Sequence, residues 1–172
     1  MTFALQIMKK YIKPVLIGLL AILLLAQFIR PAKNQSNDLT NDLSKKYPVP
    51  DSIRAILKVA CDDCHSNYTV YPWYAEVQPV ASWLAAHVED GKRHLNFSTF
   101  TGRKVAIQNH KFEEIIEMVK EGEMPLASYT WIHRDAILTE AQKQSLIDWA
   151  QMNMDSLKAQ YPADSLVLPK RK

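Results

Sequence analysis

Residues 61–67 read Cys61-Asp62-Asp63-Cys64-His65-Ser66-Asn67, and Cys61 and Cys64 are the only cysteines in a chain of 172 residues. Four chemistries use a pair so spaced. A disulfide across C-x-x-C closes a very short loop and adds little by restricting the unfolded chain. A thiol redox centre wants a strand before it in an alternating β/α pattern. The stretch before Cys61, DSIRAILKVA, instead puts Ile53, Ile56, Leu57 and Ala60 on one helical face. A structural zinc ion wants four protein ligands. His65, His87, His94, His110 and His133 are available, but no H-x(3–5)-H pair occurs among them. The remaining chemistry is covalent haem. In C-x-x-C-H each thiol adds across one vinyl group of the porphyrin, and the adjoining histidine turns its Nε2 to the iron. All five positions fit, so Cys61 and Cys64 are the attachment residues and His65 the proximal ligand in this reading.

Such a site needs a surrounding fold and a second face for the porphyrin. Glycine is scarce (4 residues) and the aliphatic content is high, which predicts an all-α domain. The net charge of +3 is small and the basic residues are dispersed, so nucleic acid is not an expected partner. No paired carboxylates, nucleophile triad or phosphate loop points to hydrolysis or group transfer, and an electron carrier is favoured over an enzyme. Pro14 to Ile29 (PVLIGLLAILLLAQFI) is uncharged and almost wholly apolar, with Lys9, Lys10 and Lys13 before it and Arg30 and Lys33 after. As a helix it spans roughly 24 Å, somewhat less than a hydrocarbon core of about 30 Å; Tyr11, Ile12 and Lys13 extend it at the near end. An uncleaved transmembrane anchor is expected over residues 1–30, a cleaved signal peptide being the competing reading. The lysines ahead of it keep that side in the cytoplasm, and so put the remainder on the periplasmic side of the inner membrane.

Residues 31–50 are polar and read as a linker. Residues 51–155 are expected to form the domain, and 156–172 a loosely held tail. Four helices are predicted. The first is 52–60, capped by Asp51 or Ser52. The second is 78–90, with Pro79 in its first turn and Gly91 just past its end. The third is 104–121, closed by Gly122. The fourth is 140–154, opened by a Thr139/Gln142 capping box.

A haem iron bound by one histidine commonly takes Met or a second His opposite. Met124 is the leading candidate. It follows the end of the third helix, and Pro125 biases it toward an extended backbone, so it projects from a loop. His133, His87 and an open sixth position stay as alternatives. The aromatic run Tyr71-Pro72-Trp73-Tyr74, with Trp83 and Trp131, reads as ordinary core, or as a wall that dries the porphyrin. Arg54, Lys92, Arg93 and Arg103 are available for its propionates.

CDDCHSN, YPWYAEVQPVASWL, GKRHLNFS, HKFEEIIEMVKEGEMPLASYTWIH and LIDWA together resemble the bacterial haem-binding domain family. The resemblance runs from about Tyr47 to Ala150. It implies a cytochrome c-like fold and haem held through Cys61, Cys64 and His65, and leaves the partner and the sixth ligand open. The expectation is therefore a membrane-tethered, single-haem c-type cytochrome passing electrons to an unidentified redox protein. A haem sensor, a small haem enzyme with an open iron site, and a haem-free zinc module are the alternatives.

Overall fold

The computed structural model describes the backbone of residues 2–168 and the side chains of residues 11–168. The helices are α1 (Thr2–Ala26), α2 (Asp51–Ala60), α3 (Asp62–His65), α4 (Val80–His94), α5 (Val105–Glu121), α6 (Ala127–Thr130) and α7 (Glu140–Gln160). Short 3-10 turns join them, among them Leu43–Lys45, Trp73–Glu76 and Phe97–Gly102. Among the described residues there is no strand, only an isolated bridge between Gln35 and Tyr68. The all-α expectation holds.

The chain divides into two compact units, one comprising Met1–Lys33 and Val70–His87, the other Asn34–Thr69 and Val88–Lys172. In the first, α1 contains Pro14 and carries apolar side chains that are exposed around its circumference, Ile17 at 66% and Leu25 at 67%. Among the described residues no helix is long and apolar enough to cross a membrane. The expected spanning helix is therefore not met as stated: the lysines at 9, 10 and 13 lie within α1 and leave it an apolar stretch shorter than the helix itself. The end of α1 is tied to residues 76–78. Gln78 N–H donates to Gln27 Oε1 (3.0 Å), Gln27 Nε2 to the Gln78 carbonyl (3.3 Å) and Gln78 Nε2 to the Ile29 carbonyl (2.8 Å).

The second unit is built on the pairing of α5 with α7. Phe112 is fully buried, with its ring 4.9 Å from Tyr47, 5.0 Å from Phe100 and 5.6 Å from Trp149. Such pairs add about 0.5–1.5 kcal/mol each beyond area burial. Leu57 of α2 and Leu146 and Leu157 of α7 complete the same core. Trp149 Nε1 donates to the Pro48 carbonyl (2.8 Å). The buried Gln108 is satisfied at both ends: its Nε2 donates to the carbonyls of Thr101 (3.2 Å) and Arg103, and its Oε1 accepts from Tyr47 and Lys46.

Local signals read from the sequence appear where expected, with four differences. The Thr139/Gln142 capping box is present, and Gly122 ends α5 in the left-handed region at φ 76°. Pro50, and not Asp51 or Ser52, occupies the position ahead of α2, without a side-chain cap. The second predicted helix begins after Pro79, at Val80, and does not stop at Gly91 but continues to His94. Residues 31–50 are not a linker throughout, because Leu43 (0% exposed) and Tyr47 (4%) are core residues. The domain likewise runs past 155, since α7 continues to Gln160 and Leu157 and Leu166 are buried. Residues 169–172 of the expected tail lie outside the described residues.

Candidate functional site

Helix α2 delivers the cysteines. The Cys61 N–H still donates to the Leu57 carbonyl (2.9 Å), and the Cys61 carbonyl then accepts from Cys64 N–H (3.1 Å) and His65 N–H (2.9 Å). This folds C-x-x-C-H into one turn, α3, which brings the two thiols and the imidazole together by local geometry alone. The thiols are free. Burial pushes Cys61 up to about 12 and Cys64 up to about 11, with the neighbouring carboxylates of Asp62 and Asp63 adding to the effect.

His65 is fixed from α4. Its Nδ1 lies 3.0 Å from the Gly91 carbonyl and 3.1 Å from the Leu95 carbonyl. Carbonyl oxygens only accept, so Nδ1 carries the proton and shares it between them, and Nε2 keeps its lone pair. Burial moves the ring's pKa below the usual imidazole range, against the opposing pull of the two carbonyl bonds, which keeps it neutral and able to ligate. Phe97, itself buried, sets its edge against the ring at 6.4 Å between centroids. The approach of α4 depends on Gly91 having no side chain. A Cβ there would stand 2.7 Å from the Cys64 carbonyl oxygen and 3.0 Å from the Cys64 Cβ. This is why a glycine sits inside α4, and why its reading as a helix stop fails.

The segment after the histidine is pinned by buried amides. Asn67 N–H donates to Ser98 Oγ (3.0 Å), Asn96 Nδ2 to Asn67 Oδ1 (2.8 Å), and Ser98 N–H to Asn96 Oδ1 (3.0 Å). The polar residues of CDDCHSN and HLNFS thus hold the two stretches to each other.

A cavity of about 410 Å³ opens beside this turn, within the size range of small-molecule and cofactor sites. Leu57, Ala60 and Cys61 line it, together with His65, Leu95 and Phe97. From α5 come Lys111, Glu114, Ile115, Glu117, Met118 and Val119; Met124 follows, and α7 adds Leu146. Asp90 and His94 complete the lining. The structure therefore brings Cys61, His65 and Met124 to one largely apolar cavity; Cys64 stands in the same turn, against Gly91. Met124 is held by its N–H to the Met118 carbonyl (3.2 Å), alongside Glu123 N–H to the same oxygen (3.0 Å).

Neither alternative histidine lines the cavity. His133 stacks on Tyr129 at 4.1 Å, with its Nδ1 3.1 Å from the Tyr129 carbonyl, and Tyr129 Oη donates to Asp63 Oδ2 (2.9 Å). His87 belongs to the first unit, packed on Trp83 at 4.1 Å. Of the two readings of the aromatic residues, the wall around the porphyrin is not met, since none of Tyr71, Trp73, Tyr74, Trp83 and Trp131 lines the cavity. Trp73 (80% exposed) and Trp83 (48%) belong to the first unit, and Trp131 is exposed; Phe97 is the ring at the cavity. Its cation is Lys111, paired with Glu114 Oε2 at 2.5 Å, and none of Arg54, Lys92, Arg93 and Arg103 is in the lining.

Met118 was missed as a site residue. The signal was available: Lys111, Glu114, Ile115 and Met118 recur at the three- and four-residue spacing of one helical face. Leu95 was missed because its contribution is a backbone carbonyl, which no side-chain pattern reveals.

A flat macrocycle held by C-x-x-C-H needs an apolar slot, two thiols in one turn, and an imidazole whose Nδ1 is already occupied. The residues fit that requirement. Among the described residues no cluster of three or more His, Cys, Asp and Glu stands ready for a metal ion alone. The family model for the haem-binding domain matches residues 21–152. No curated protein and no solved structure gives a significant match to the chain. With more than half of its length matched and the slot and ligand turn in place, the chain belongs to the haem-binding domain family.

Proposed function

We propose that this haem-binding protein is a single-haem c-type cytochrome that transfers electrons one at a time while tethered to the inner membrane, with its haem domain on the periplasmic side. Cys61 and Cys64 would hold the cofactor as thioethers, and His65 through Nε2 and Met124 through its thioether sulfur would ligate the iron. Bound there, the haem supplies an iron centre that changes charge by one electron. The observation that carries the reading is the double carbonyl anchor on His65 Nδ1, on the residue that shares a cavity with Cys61 and Met124. Histidines that serve metals have their other ring nitrogen engaged in this way.

The chain's own residues then set the properties of the site. Leu57, Leu95, Phe97, Ile115, Val119 and Leu146 keep water away, which disfavours the more highly charged oxidised state and raises the potential. Lys111 and His94 offer positive or donor groups for the propionates. The apolar stretch 14–29 with lysines ahead of it supports the tether and its orientation. Tethering raises the local concentration of a membrane redox partner, so weak and brief contacts suffice.

The test is spectroscopic. Protein produced with the cytochrome c maturation machinery should give a reduced-minus-oxidised difference spectrum with sharp visible bands, and its haem should stay with the polypeptide after denaturation. Haem extractable into acidified solvent would remove the thioethers from the reading. Rapid carbon monoxide binding by the reduced protein would remove Met124 and leave an open iron site.

A further inference from the structure

The first unit has a feature that neither haem binding nor a simple tether requires. Within it, the end of α1 is fastened to residues 76–78 by the three Gln27, Gln78 and Ile29 hydrogen bonds, and Arg30 adds a fourth by donating to the Glu76 carbonyl at 2.5 Å. Lys33 pairs with the Glu76 carboxylate, and its ammonium stands 5.5 Å from the Tyr71 ring. Gln78 and Ala81 are buried at this junction. The side chains flanking the junction are the reverse: Trp73 is 80% exposed, Val70 69%, Trp83 48% and Val77 44%.

Two tryptophans left open beside this hydrogen-bonded junction suit a boundary between water and hydrocarbon. Indole has an apolar body and an N–H donor, and it concentrates at the boundary between hydrocarbon and water. The exposed tryptophans are carried by the segment bonded to the end of α1. That helix exposes aliphatic side chains on all sides from Val15 to Leu25. Arg30 and Lys33 follow directly, the residue types that reach headgroups from the end of an apolar helix.

We propose that residues 70–83 form an interfacial shelf lying in the phospholipid headgroup layer, with Trp73 and Trp83 as its anchors. The membrane attachment is then two-part, α1 in the hydrocarbon and the shelf at its surface. The proposal rests on the tether reading above, and the following experiment separates the two. Full-length holoprotein is reconstituted into phosphatidylcholine vesicles, with or without lipids brominated near the headgroup. Flotation and the quenching of tryptophan emission are both measured, and each protein is compared with itself in unbrominated vesicles so that any constant quenching by haem cancels. Trp131 and Trp149 remain in all samples as internal controls.

Wild-type protein should float with the vesicles and be quenched by the brominated lipid. The exposed Trp73→Phe/Trp83→Phe double variant should float equally and lose that quenching. Flotation with no quenching, or quenching that the double variant retains, overturns the shelf and leaves the tether standing. Failure to float overturns the tether, and the shelf with it.

Discussion

The two walls of the haem cavity are built to different standards. On the side of Cys61, Cys64 and His65, a single helical turn fixes all three groups, two carbonyls hold one ring nitrogen, and Gly91 permits a contact that no other residue allows. Met124, by contrast, lies just past the end of α5, and a second thioether, Met118, shares the cavity. The first wall is over-determined. The second offers an alternative. On the proposed ligation, the cofactor would be retained by one side and tuned from the other, so retention and redox properties would vary independently.

The largest effects are expected on the side of the cysteines and His65. Replacing Cys61 and Cys64 together by Ala, or His65 by Ala, should abolish haem that survives denaturing electrophoresis or abolish the native visible spectrum, respectively. Retention of both would contradict the assignment of that wall. Next in size is the reactivity of the thiols. With Cys61 pushed to about 12 and Cys64 to about 11, both stay protonated at neutral pH. Alkylation of the folded haem-free protein at pH 8 should be slower than that of an unfolded control by about two orders of magnitude or more, and should speed up as pH rises. Equal rates would mean the turn is not closed in the absence of cofactor.

The weak side is sharpened by a pair of variants. Met124→Ala should shift the reduced spectrum, lower the potential and admit carbon monoxide, whereas Met118→Ala should leave ligation intact. The reverse pattern would transfer the ligand role to Met118, and indifference to both would leave the iron open. Smaller effects come from the two glycines. Gly91→Ala forces a Cβ into the Cys64 backbone, and overpacking of this kind costs about 1–3 kcal/mol. The accompanying signature should be a disturbed haem spectrum, because the His65 anchor moves. Gly122→Ala meets no atom within 4 Å, and only its positive φ resists the change, for about 1 kcal/mol. Denaturant melts of the two variants should differ in this sense, with the spectrum of Gly122→Ala unchanged.

What the sequence made legible follows the range of the interactions involved. CDDCHSN, the α5 stripe, Gly122 and the Thr139 capping box are local patterns, and each is read within a few residues. Met124 was placed by the same local logic, from a helix end and a proline. Gly91 was misread because its reason is a contact with Cys64, distant in sequence, while its local meaning is a helix stop. Leu43 and Tyr47 were hidden in a polar stretch where two buried side chains make no period. The aromatic run 71–74 reads as core or as a cavity wall on composition alone, since nothing in its spacing says which unit it joins.

One contact bears on how the protein is made. Leu146, which completes the cavity lining, and Trp149, which reaches back to the Pro48 carbonyl, both come from α7, the last long helix of the chain. The cysteines and His65 are synthesised well before it. The nascent polypeptide therefore carries its complete attachment motif through a period when the slot does not yet exist. On the proposed covalent attachment, a maturation enzyme would meet that motif as an accessible peptide, and the arrival of α7 would then close the fold over the attached haem.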